Sequence, residues 1–111
     1  MIRTRSVVLL NPECWLAQHG RMEHDDPMPP CEGRLIRAHL IPQWLLHREG
    51  LEAGDPATYV MACGGLTGLT GHHGMFDVSR KLRVPLNALP EETKQFAIEH
   101  ELAAWVARNY R

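Results

Sequence analysis

Apolar and polar residues alternate loosely over GRLIRAHLI (33–41), a two-residue period that predicts a strand with His39 near its end. Pro42 suits a first helical position, and QWLLHRE then predicts a short helix ended by Gly50. The turn within LEAGDPATYVMACGG leads to a second short strand at about 58–63. After the glycine-rich CGGLTGLT, residues from about 72 to 81 read as a helix, and RKLRVPL runs out as an extended arm. The clearest pattern comes last. Pro90 opens a helix reaching about 109, Glu91 and Glu92 suit its positive end, and Phe96, Leu102, Trp105 and Val106 form its apolar stripe. That stripe marks it as a packing helix.

Two stretches fall outside these periods. TRSVVLL (4–10) is short and β-branched, and it reads as a strand stopped by Asn11-Pro12. Residues 11–33 are rich in Pro, Gly, His and acid and predict an extended loop. A loop of that length needs an anchor, and Cys14 and Cys31 lie near its two ends. No domain boundary is visible, and 111 residues suit one small α+β domain. GLTGLT repeats a triplet, but two copies are too few for a repeat architecture.

Composition narrows this picture. Apolar residues make up 44% and aromatics only 6%, so the expected core is modest and a structural metal would help it. A formal charge of −1 excludes a strongly basic nucleic-acid coat but leaves room for a local patch. The apolar run near the start, Val7 to Leu10, is too short for a signal peptide or a membrane helix, which predicts a cytoplasmic protein without membrane attachment. Three cysteines do not make a disulfide framework in that compartment; metal ligation or plain burial remains. Seven histidines favour the metal.

GHHGMFD (71–77) is the densest chemistry. On a helix, residues four apart share a face while neighbours diverge by about 100°. His73 and Asp77 therefore face one direction and His72 another, so the segment can serve two sites. An imidazole with a carboxylate suits Mg, Mn, Ni or Zn better than Ca. The glycines before it lack the lysine and Ser/Thr of a phosphate loop, and Cys63 with His72 lacks the third group of a nucleophilic site.

The order strand, His39, connection, strand, Cys63, glycine loop, His72-His73, Asp77 resembles the HNH endonucleases of ββα-metal fold, of the compact kind found in phages and bacteria. The resemblance covers roughly 31–83, most sharply CEGRLIRAHLIP and ACGGLTGLTGHHGMFD. It implies that His39 is the general base that activates water. It also implies that His72 binds a structural zinc, and that His73, assisted by Asp77, binds a catalytic Mg, Mn or Ni. Cys14, Cys31 and Cys63 would complete a Cys₃His zinc set, with His19 or His24 as substitutes for Cys14.

The chain departs from the family at three places. Ala38 stands where a metal-binding Asp or His commonly precedes the base. The orienting Asn is missing, with only Asp55 and Thr58 nearby. Cys14 and Cys31 are 17 apart instead of forming Cys-x-x-Cys. The implied partner is DNA, with Arg34, Arg37, Arg80, Lys81 and Arg83 as phosphate contacts. A homodimer would suit an enzyme that cuts both strands. The alternative is a zinc-stabilised nucleic-acid-binding or interaction module without catalysis. His47 and His100 lie in expected helices and read as structural.

Overall fold

A computed structural model describes residues 10–67 and 70–110. In chain order these form α1 (Trp15–His19), β1 (Arg21–Met22), β2 (Leu35–His39), α2 (Gln43–Arg48), β3 (Tyr59–Cys63), α3 (Gly71–Asp77), β4 (Leu82–Arg83), α4 (Glu91–Glu99) and α5 (Ala103–Asn109). Helices with two small antiparallel sheets make this an α+β chain. The expected strand 4–10 lies outside the described residues apart from Leu10.

The two alternating segments pair with each other. β2 and β3 form an antiparallel ladder running from Leu35 opposite Cys63 to His39 opposite Tyr59. Because side chains alternate across a strand, Ala38, Val60 and Ala62 turn into the core while Arg37 and Met61 turn out. His39 shares that outward face and is half-buried. α3 packs across this hairpin, and α1 packs on β3 and α3. The segment expected as a bare loop, 11–33, thus carries α1, β1 and a 3-10 turn at Glu23–Asp25. Its β1 finds a partner in the expected extended arm: Arg21 and Met22 pair with Arg83 and Leu82 of β4. Short-range pattern cannot reveal a two-residue strand whose partner lies some 60 residues away.

The expected helix over 72–81 stops at Asp77, and Arg80 leaves it with φ 60°. The expected helix to 109 is two helices. Leu102 N–H donates to the Ala97 carbonyl and Glu101 N–H to that of Ile98, with Glu101 at φ 60° between α4 and α5. These are the bonds of a Schellman ending. Glu101 occupies the left-handed position that glycine usually marks, so no glycine signals the break. Apolar side chains on both helices still meet one core, where Phe96, Ala97, Leu102 and Val106 join Leu16, Leu40, Ile41, Leu45, Leu46 and Leu82. Each fully buried leucine contributes about 2 kcal/mol. Two polar ties close the packing. Thr93 Oγ1 donates to the Ala57 carbonyl at 2.7 Å, and the buried Tyr110 hydroxyl donates to the Leu40 carbonyl just beyond β2.

Candidate metal centre

Four elements converge at the inner end of the hairpin. Cys14 stands at the start of α1, Cys31 ahead of β2, Cys63 ends β3, and His72 lies in the first turn of α3. The glycine stretch after Cys63 makes this convergence sterically feasible. Gly33 and Gly65 bridge so closely that a Cβ on Gly33 would meet the Gly65 carbonyl oxygen at 2.1 Å. Gly71, at φ 68°, turns the chain back over the Cys63 carbonyl. No side chain fits either position.

The ligand atoms of Cys14, Cys31, Cys63 and His72 lie within 4.8 Å of one another and could hold a metal ion. From His72 Nδ1 the sulfurs of Cys31, Cys14 and Cys63 stand at 3.5, 3.6 and 3.0 Å. A tetrahedral zinc with ordinary Zn–S and Zn–N lengths separates sulfur from nitrogen by about 3.5 Å. Two of the three separations match, and the Cys63 contact is tighter. Protonation also suits a metal. His72 Nε2–H donates to the Pro29 carbonyl at 2.9 Å, which leaves the Nδ1 lone pair aimed at the sulfurs. Backbone N–H groups of Asn11, Cys63 and His72 donate to the sulfurs of Cys31, Cys14 and Cys63 at 3.1, 3.3 and 3.2 Å. Such bonds favour thiolates.

Without a cation, burial works the other way. It pushes the Cys14 thiol up and takes Cys31 to about 12, and it lowers His72. With Cys14 and Cys31 as thiols and His72 as a neutral imidazole, the cluster becomes a ligand set once a soft divalent cation displaces the thiol protons. His19 and His24 are not part of it. His19 is exposed with its ring 4.7 Å from that of Trp15, and His24 pairs with Glu23 on the surface.

The other candidate residues lie outside this cluster. His39 Nε2–H donates to the Ala53 carbonyl at 2.9 Å, and Gln43 Nε2 reaches its Nδ1 only at 3.5 Å. The buried Thr58 hydroxyl donates to the Asp55 carbonyl at 2.7 Å and stands 3.4 Å from that of Ala53. The 3-10 turn thereby packs beside the acceptor that holds His39. A backbone carbonyl, which has no sequence signal, thus holds the His39 ring.

His39 and Asp77 line one concavity, walled by Trp44, Phe76, Arg80, Trp105 and Tyr110. Burial raises the Tyr110 hydroxyl, and the Asp77 charge adds to the shift. His73 is half-buried one turn back on α3 and does not line that concavity. Among the described residues, no group of three or more His, Cys, Asp or Glu side chains includes His73 or Asp77. Ala38 is fully buried.

Of the basic residues, Arg37 sits on the outward face with its guanidinium 4.5 Å over the Tyr59 ring, itself 5.5 Å from His39. Arg34, Arg80, Lys81 and Arg83 are exposed. His47 is exposed on α2, and the His100 ring lies 4.3 Å from that of Phe96. Among the described residues, no helix is long and apolar enough to cross a membrane. No family model, curated protein or solved structure matches this chain.

Proposed function

We propose that the chain is a zinc-stabilised, metal-dependent endonuclease of HNH type that hydrolyses DNA phosphodiesters with His39 as general base. One observation carries the reading. The Nε2–H of His39 is committed to the Ala53 carbonyl, which leaves the basic lone pair on Nδ1, and this imidazole lines the same concavity as Asp77. A base needs that tautomer and a substrate-sized recess beside it.

His39 Nδ1 takes the proton of an attacking water, which displaces the Gln43 amide N–H lying 3.5 Å from the same lone pair. His73 and Asp77, four apart on α3, would be the nitrogen and carboxylate ligands of Mg, Mn or Ni, with His73 turning toward the concavity that Asp77 lines. Such a cation would supply neutralisation of the charge developing on the phosphate oxygens. A zinc on Cys14, Cys31, Cys63 and His72 would hold α1, the hairpin and α3 in register and take no part in the chemistry.

A second reading, a non-catalytic zinc-stabilised nucleic-acid-binding or interaction module, is favoured by Ala38. Its methyl faces the core, so the position before His39 gives no ligand. Plasmid nicking separates the two. Zinc-loaded protein with added Mg²⁺, Mn²⁺ or Ni²⁺ is compared with protein given no added metal and with His39→Ala. The nuclease reading expects metal-dependent nicking that falls by about 10²–10⁴ in His39→Ala. Nicking by His39→Ala at the wild-type rate removes His39 as the base, and no nicking with any metal leaves the binding module.

A further inference from the structure

We propose that Arg80, Arg83 and Arg108, with Asn109, form a phosphate subsite for the nucleic-acid strand beside the cutting position. It rests on the nuclease reading for the identity of that position. The three arginines come from separate segments: the turn after α3, strand β4 and the last turn of α5. They line one concavity of about 300 Å³, and among the described residues no Asp or Glu lines it with them.

Acidic residues are plentiful in a chain of net charge −1. Yet among the described residues the ion pairs are elsewhere, Arg48 with Glu49, Lys94 with Glu91 and His24 with Glu23. Asp77 lines only the adjoining concavity, beside Arg80, so the three arginines give this end a positive charge that an anion would neutralise. Guanidinium forks match phosphate oxygens in particular.

Arg80 takes φ 60° in the turn that follows α3. The floor is firm: the Phe76 and Tyr110 rings stack with centroids 6.5 Å apart, over buried Leu82 and Val84.

The occupant is a strand and not an isolated anion, because the concavity is continuous with the one holding His39. Phe76, Arg80, Asn109 and Tyr110 line both. Arg37, over the Tyr59 ring that neighbours His39, adds a further basic group near that concavity. A strand with one phosphate on the arginines would run on toward His39. The C-terminal helix, which reads as packing from its apolar stripe, then supplies part of the substrate surface.

The test is anisotropy of a short labelled oligonucleotide, single-stranded and duplex, on zinc-loaded protein with no other divalent cation present. Exposed Arg108 can be changed without touching the core. Arg108→Gln is expected to weaken binding by about fivefold or more and to lower the slope of log K against log salt by about one, while Arg108→Lys keeps the slope. Lys94→Gln carries the same charge change on α4 and is expected to leave binding within about twofold of wild type. Equal losses in both Gln variants, or wild-type binding by Arg108→Gln, overturn the subsite. Inorganic phosphate is expected to compete only as its ionic strength dictates; displacement well below that assigns the arginines to a free anion and overturns the strand. Arg108-dependent binding without nicking by wild type removes the nuclease reading and leaves the subsite standing. Nicking with binding indifferent to Arg108 does the reverse.

Discussion

The Cys63 sulfur accepts the backbone N–H of His72 at 3.2 Å and lies 3.0 Å from Nδ1 of the same residue. The end of β3 and the first turn of α3 are thereby joined twice through one atom. A metal on that sulfur fixes the angle between hairpin and helix, and with it the distance from His39 to Asp77. The structural centre and the candidate reaction site are mechanically linked although no ligand is shared.

Losing a ligand should therefore cost fold as well as metal. Cys63→Ser and His72→Ala are expected to lower zinc affinity by more than the ~10–100-fold that outer-shell changes cost. Chelation of wild-type protein should lower its melting temperature sharply. Elemental analysis and thermal unfolding followed by circular dichroism check both. One zinc per chain retained by Cys63→Ser would exclude Cys63 as a ligand.

Metal binding should release protons. Burial holds Cys14 and Cys31 above their ordinary pKa, so both are protonated at pH 7, while the lowered His72 is already neutral and releases none. Zinc takes thiolates, so at least about two protons leave per zinc bound, and apparent affinity rises with pH by about two log units per unit near neutrality. The sign is fixed: acid restores the thiol protons and expels the metal. Titration calorimetry in buffers of different ionisation enthalpy counts the protons, and a count near zero contradicts the prediction.

Gly71→Ala should destabilise by about 2 kcal/mol or more, since φ is 68° and the new Cβ would lie 2.7 Å from the Cys63 carbonyl oxygen. Gly54→Ala, at a glycine with open space around it, serves as control. Urea unfolding of zinc-loaded protein compares them, and equal midpoints would mean that the turn relaxes freely.

Ala38→Asp, which would place an acid directly before His39, should damage this chain. Its Cβ is fully buried opposite Val60, and a carboxylate there costs about 2–7 kcal/mol or more without a partner. The variant is expected to fold poorly and to cut no faster. Normal stability with enhanced metal-dependent nicking would show that position 38 can still reach the cation.

The strands 35–39 and 59–63, the helix 43–48 and the start of α3 are legible from periodicity, proline and glycine, because each depends on neighbours within a few residues. The donor set is legible as types: three cysteines and a histidine beside glycines are chemically distinct from their surroundings. The break at Glu101 is not legible, since glutamate carries no turn signal there. Nor is the pairing of β1 with β4, which is too short to leave a pattern.

Which donors meet was decided by packing. Cys14 joins the cluster, while His19 and His24, equally available on the chain, stay at the surface because α1 turns its Cys14 end toward β3. The acceptor for His39 is a carbonyl of Ala53, an atom every residue possesses, and only the fold brings it to the ring. Arg108 lines the same concavity as Arg80 and Arg83 although it lies on a different helix, far along the chain. Residue types and local periods follow from side-chain chemistry and short-range geometry; the aim of a carbonyl or the meeting of distant arginines exists only once the core has closed.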